Sequence, residues 1–216
     1  MELFLDSVDS FEIKKYNAFG IVDGVTTNPS LMASAKKNFR ETANDICNLV
    51  RGDVSIEVVS NDFEEMVEEG NKIFEIATNM VVKLPITWDG LKACKYFSSK
   101  KRKVNMTLCF SASQALLAAK AGAAYISPFI GRLDDIGEDG MGLIAEIREI
   151  YDNYQFETKI LAASIRTIEH VTEAALCGAD VATIPAKIMS QLLAHPLTDK
   201  GLEQFNQDWT KSGMKI

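Results

Sequence analysis

The chain has 216 residues, 47% of them hydrophobic and 25% charged, with a formal net charge of −7, which is enough for one domain with a sizeable core. No cluster of Lys and Arg is interleaved with aromatics and no basic patch is wide enough to track a phosphate backbone, so nucleic acid is not an expected partner. No apolar run reaches membrane-spanning length, and the opening stretch MELFLDSVDS has neither a basic segment nor a long apolar one, which predicts a cytoplasmic protein without a membrane partner.

Short apolar runs alternate with longer amphipathic stretches, the pattern of repeated βα units. The first run, ELFLD from residue 2, sets Glu2, Phe4 and Asp6 on one face and Leu3 and Leu5 on the other, because side chains two apart share a face of a strand. GVTT from 24 carries Thr26 and leads to Asn28. SIEVV from 55 groups Ser55, Glu57 and Val59 against Ile56 and Val58. The helical pattern FEEMVEEGNKIFEIA then precedes MVVKLP from 80, where Val81, Lys83 and Pro85 oppose Val82 and Leu84. VNMTLC from 104 sets Asn105, Thr107 and Cys109 against Val104, Met106 and Leu108. SASQALLAAKAGA reads as a helix closed by a left-handed Gly122, and YISPF from 125 puts Ser127 and Phe129 opposite Ile126, Pro128 and Ile130. KILAAS from 159 runs on to place Ser164 and Arg166 opposite Leu161, Ala163 and Ile165. RTIEHVTEAALCGA, closed by Gly178, leads to the eighth run, VATIP from 181. The polar tail predicts a helix over about 197–211, on which Phe205 and Trp209 stand four apart on a face that needs cover, from this chain or a neighbour.

Eight parallel strands with crossover helices predict a closed (β/α)8 TIM barrel, one domain over 1–216 with a C-terminal helical extension. An open doubly wound sheet is the alternative, but neither G-x-G-x-x-G nor G-x-x-x-x-G-K-[ST] follows the first strand. In a barrel the all-apolar face of each strand packs on helices and the face with polar groups points inward. Unpaired polar groups there cost about 1 to 3 kcal/mol each, so their accumulation marks a site rather than a core.

Lys83 is the sharpest feature. Dehydrating its ammonium without a partner costs several kcal/mol, so it is paired, neutralised or turned to a polar cavity. A desolvated lysine among Asp6, Glu57, Thr107, Asn105 and Asn28 is the toolkit for Schiff-base chemistry, with an amine to attack a ketone and two carboxylates to move protons. A plain ion pair with Asp6 or Glu57 is the bland alternative. The cysteines Cys47, Cys94, Cys109 and Cys177 are widely spaced and read as free buried thiols. His170 and His195 read as structural or solvent-facing, so neither a metal nor a cofactor is expected.

GVTTNPSL, VVKLP, SPFIGRLDDIG and LAASIR occur in order and at the spacing of the small transaldolases, the class I aldolase-type barrels grouped with fructose-6-phosphate aldolase, which the whole chain resembles. The resemblance implies transfer of a dihydroxyacetone unit from a ketose phosphate, fructose 6-phosphate or sedoheptulose 7-phosphate, to erythrose 4-phosphate or glyceraldehyde 3-phosphate. It assigns the Schiff base to Lys83, acid/base work on the C4 hydroxyl to Asp6, and the catalytic water to Glu57 and Thr107. Asn28 and Asn105 would bind sugar hydroxyls and the imine region, with Thr26, Ser127 and Phe129 also lining the substrate, and Arg132, Ser164 and Arg166 would hold the phosphate. Arg132 has a second reading, pairing with Asp134 or Asp135. The fructose-6-phosphate aldolases, which release free dihydroxyacetone, carry glutamine and tyrosine where this chain has Glu57 and Phe129, so the pair here resembles the transaldolases. A non-catalytic sugar-phosphate binder is the remaining alternative. The resemblance also implies that the last helix docks on a neighbouring subunit, making a homo-oligomer, a pentamer or a decamer of two rings. Trp88, Asp89 and Cys109 depart from the family pattern, and an inward Cys109 would make activity sensitive to oxidation.

Overall fold

The computed structural model describes residues 1–35 and 37–215. Its strands are β1 (Glu2–Asp6), β2 (Gly24–Thr26), β3 (Val54–Glu57), β4 (Met80–Pro85), β5 (Val104–Cys109), β6 (Tyr125–Pro128), β7 (Lys159–Ala162) and β8 (Val181–Pro185). They pair in chain order, all parallel, and β8 returns to β1, so the sheet closes into the predicted (β/α)8 barrel. Most of the helices start where a side chain caps them. Asp62, Thr87 and Ser111 each accept a backbone N–H at the start of Phe63–Phe74, Trp88–Ser99 and Ala112–Ala121. Gly122 and Gly178 close their helices at φ of 87° and 86°, as predicted.

Two apolar layers hold the barrel. Leu5, Ile56, Val82, Leu84, Met106 and Ile126 lie between sheet and helices. Phe4, Val81, Tyr125, Leu161 and Val181 fill the inside, and full burial of each contributes about 1.5 to 3 kcal/mol. Gly24 makes room for this plug, since a Cβ there would lie 2.6 Å from the Phe4 ring. Below, the Tyr125 hydroxyl donates to Asp53 at 2.6 Å, and Lys103 bonds the same carboxylate. The floor is thus closed, and the inward polar residues stack above it towards the C-terminal ends of the strands.

The predicted alternation holds in β1, β3, β4 and β6 and fails in two places. In β7 the residues expected outside, Leu161 and Ala163, are inside, against Phe4 and Val81, while Ile160 and Ala162 face the helices. Ser164 at φ 61° then breaks the alternation, so that Ala163 and Ser164 both reach the cavity. In β5, Leu108 at φ 60° accompanies a register shift against β6 between Met106 and Cys109. This irregularity turns Cys109 outward into the layer under the helices, where its thiol approaches the Ser111 carbonyl at 3.4 Å. Cys109 does not face the barrel interior, and the expected oxidation sensitivity of the site through it loses its basis.

Candidate active site

Lys83 stands in a strand buried along nearly its whole length and is itself 5% exposed. The register β3–β4–β5 sets Glu57, Lys83 and Asn105 side by side. The Lys83 Nζ lies 3.0 Å from Glu57 Oε2 and donates to the Thr27 carbonyl at 3.0 Å. The ammonium is therefore both paired and at the wall of a polar cavity, so two of the three accounts of its burial hold together. The cavity measures about 230 Å³ and is lined by Asp6, Thr26, Asn28, Lys83, Asn105, Ser127, Phe129, Arg132, Ser164 and Arg166. Ten of the twelve expected site residues thus share one hollow at the mouth of the barrel.

Glu57 and Thr107, the remaining two, are not in its wall. Glu57 reaches Lys83 from the side and also borders a separate hollow of about 370 Å³ with Phe39, Val59 and Ile73. Thr107 sits one layer above Asn105, paired in register with Pro85, and its hydroxyl is buried without a hydrogen-bond partner among the described residues.

Asp6 ends β1 and accepts a hydrogen bond from the Thr26 hydroxyl at 2.8 Å. Burial raises its pKa above the ordinary carboxylate value; the Lys83 charge and the Thr26 hydrogen bond oppose that rise without cancelling it. Asn105 is fully buried and held at both ends of its amide, donating to Ser55 Oγ at 3.0 Å and accepting from Ser127 Oγ at 2.8 Å. Asn28 caps the helix Pro29–Ser34 through its carbonyl oxygen, which accepts from the Leu31 N–H at 3.0 Å, so its amide NH2 is the part left to serve a ligand. Phe129 packs edge-on against Phe110, with its ring centre 6.0 Å from the Lys83 Nζ and 5.1 Å from the Arg132 guanidinium.

Gly131, next to Arg132 in the chain, lets the segment after β7 approach closely, since a Cβ there would lie 2.2 Å from the Ser164 carbonyl and 2.9 Å from Arg166 Nε. The acids alongside do not pair with Arg132. Asp135 takes the Arg166 guanidinium in a two-pronged bond, and Asp134 lies 2.9 Å from His170 Nε2. A guanidinium fork matches a carboxylate as well as a phosphate, which is why Asp135 finds it. His195, like His170, is structural, accepting from the Leu197 N–H at the start of the last helix.

Sequence reasoning missed several residues here. Leu161, Ala163 and Thr183 line the cavity, Ser55 anchors Asn105, and the Thr27 carbonyl receives Lys83. The signal for Thr183 was present, because period two from the inward Val181 points it inside. Among the described residues no group of three or more His, Cys, Asp or Glu could hold a metal ion, and no helix is long and apolar enough to cross a membrane.

The family model described as Transaldolase/Fructose-6-phosphate aldolase matches residues 3–216. The chain is 60% identical, over the full length of both, to a protein of Brucella ovis named probable transaldolase, and 58% identical over both full lengths to one of the same name from Paracoccus denitrificans. Among solved structures, a mutant flavocytochrome b2 with pyruvate bound matches with a TM-score of 0.63 at 11% identity, covering 86% of this chain and 57% of that one, which is a likeness of fold alone. With a family model spanning nearly the whole chain and full-length relatives this similar, the chain belongs to the transaldolase/fructose-6-phosphate aldolase family.

Proposed function

We propose that the protein is a transaldolase that moves a dihydroxyacetone unit from fructose 6-phosphate or sedoheptulose 7-phosphate to an aldose phosphate through a Schiff base on Lys83. The observation that carries this reading is the Lys83 Nζ, 5% exposed, 3.0 Å from Glu57 and in the wall of a cavity shared with Asp6. The neutral amine adds to the ketose carbonyl carbon, with Glu57 placed to take its proton. Glu57 returns that proton to the carbinolamine hydroxyl, which leaves as water as the iminium forms, and the buried Thr107 hydroxyl, without a partner among the described residues, supports a water site beside this step. Asp6 then removes the proton from the C4 hydroxyl, the C3–C4 bond breaks, and the aldose phosphate leaves while the electron pair stays in the enamine. Addition of the enamine to an acceptor aldehyde reverses these steps. Asn28 and Asn105 bind the sugar hydroxyls and imine region, Thr26 and Ser127 line the chain, and Arg132, Ser164 and Arg166 bind the phosphate at the mouth.

Retention of the enamine is the point at which a transferase departs from an aldolase. The Phe129 ring near the amine has no hydroxyl to help a water protonate the enamine, which favours transfer over release of free dihydroxyacetone. Incubation with fructose 6-phosphate, with and without erythrose 4-phosphate, tests this: glyceraldehyde 3-phosphate is expected to accumulate only with the acceptor present. Multiple turnovers without acceptor would favour fructose-6-phosphate aldolase activity instead.

We also place the enzyme in the cytosol, in keeping with four free cysteines, and as a homo-oligomer, a pentamer or decamer. The helix Pro196–Ser212 supports the oligomer because none of its residues is buried, with Leu202, Phe205 and Trp209 exposed.

A further inference from the structure

Two threonines from strands that do not touch each other meet inside the barrel. Thr26 of β2 and Thr183 of β8 flank β1, and their hydroxyl oxygens are 2.5 Å apart. Thr26 Oγ1 is in turn 2.8 Å from Asp6 Oδ1. Both threonines are nearly fully buried, at 2% and 4% exposure. A hydroxyl has one proton, and an ionised carboxylate only accepts. With Asp6 ionised, as its role as a base requires, Thr26 donates its hydrogen bond to Asp6, and the short contact with Thr183 runs from the Thr183 hydroxyl to the Thr26 oxygen. The geometry points to Thr183 as a positioning residue that acts on Asp6 through Thr26, fixing the Thr26 rotamer and strengthening its donation to the carboxylate.

The chain is directional and stiff. Both side chains are β-branched, with restricted χ1, and a donor that is itself hydrogen-bonded is polarised by the bond it accepts. A packing role alone would be met by valine, the residue two positions earlier on the same face at Val181. The charged groups facing Asp6 are Lys83 from β4, with Glu57 of β3 bonded to it, and Arg132 and Arg166 at the mouth. Burial sets the direction of the Asp6 proton affinity and the Lys83 charge opposes it, while the threonine chain trims it and holds the carboxylate oxygen in place.

This inference rests on Asp6 being the acid/base group of the proposed reaction, and the test separates the two. Thr183→Val keeps shape and removes the donor; Thr183→Ser keeps the donor. The first readout needs no catalysis: the carboxyl carbon of Asp6 is titrated by NMR in 13C-aspartate-labelled protein. Weakening the Thr26 bond disfavours the ionised form, so Asp6 should titrate higher in Thr183→Val than in wild type and return in Thr183→Ser. The second is the pH profile of transfer, whose acidic limb should move up with kcat falling about five-fold, the scale of one hydrogen bond, and with KM little changed. An Asp6 titration identical in wild type and Thr183→Val, or one displaced equally in Thr183→Ser, overturns the proposal. If valine does not fold, Thr183→Ala gives the same contrast with serine. Borohydride trapping of wild type with fructose 6-phosphate reports on the Schiff base separately, so its failure would overturn the proposed function and leave the titration to decide the role of Thr183.

Discussion

Glu57 and Lys83 are register partners on β3 and β4, and their carboxylate and ammonium meet at 3.0 Å with both side chains almost wholly out of solvent. Removing one member of such a pair strands the other, which typically costs about 3 kcal/mol or more. Lys83→Met should therefore abolish borohydride labelling by donor sugar and also lower stability to urea. Adding Glu57→Gln should recover much of that stability by neutralising the stranded carboxylate. Alone, Glu57→Gln should fold and slow imine formation. Labelling that survives Lys83→Met would remove this amine from the mechanism, and a pre-steady-state rate unchanged in Glu57→Gln would remove the carboxylate from imine formation.

Asp6 gives a prediction in which activity and stability move in opposite directions. Burial raises its pKa in the folded protein, so between the unfolded and folded values the native state holds the proton more tightly than the unfolded chain does. The contribution of Asp6 to stability is then fully present below the unfolded value, about pH 4, and is lost as pH rises through the folded one. Asp6→Asn removes the penalty of a buried carboxylate at neutral pH. Its melting temperature should exceed wild type at pH 7.5, with the gain shrinking as pH falls towards the ordinary carboxylate range. Transfer should be lost in this variant. A melting temperature below wild type at pH 7.5 would contradict the sign.

Asp135 occupies the Arg166 guanidinium that the proposed reaction assigns to the substrate phosphate. Both partners are about half exposed, so the pair itself adds little stability and can open. A phosphate arriving at Arg166 must displace or share it with Asp135, and the two anions repel. Asp135→Asn should lower KM for fructose 6-phosphate roughly three- to ten-fold at low salt, and the advantage should fade near 0.5 M salt, where screening is short-ranged. Trapping with unphosphorylated dihydroxyacetone should not change. A KM unaffected at low salt would show that Asp135 does not compete.

Most of the barrel was legible because strand periodicity and helix punctuation are local properties of the chain. The inward Asp6, Glu57, Lys83, Asn105 and Ser127 follow from period two in strands whose outer faces are purely apolar. β7 misled the same reasoning because its inner positions, Leu161 and Ala163, are as apolar as its outer ones, so polarity could not choose the face. The left-handed Ser164 and Leu108 were invisible, since neither is a glycine and their backbone angles are imposed by the packed structure around them. Thr183 was readable by period but carries no charge to draw notice. The pairing of Asp135 with Arg166 rather than Arg132 depends on how the segment after β6 folds against the one after β7, a matter of loop geometry that spacing does not encode.

The last helix finds little cover within its own chain. Pro196–Ser212 has a capped start, with Pro196 at its first position and the His195 side chain bonded to the Leu197 N–H. Yet none of its residues is buried, and Leu202, Phe205 and Trp209, at spacings of three and four, form an apolar stripe that is 58%, 72% and 45% exposed. Helices in water persist mainly by packing an apolar face, and this one lacks that packing within its own chain. A second copy of the protein would supply it. Wild type should sediment as a species several times the mass of one chain, and Phe205→Asp combined with Trp209→Asp should release smaller species. The barrel of those species should keep its circular dichroism, because its apolar layers do not include the helix. Sedimentation of wild type as a monomer at micromolar concentration, or a double variant that stays fully assembled, would show that this stripe is not where copies meet.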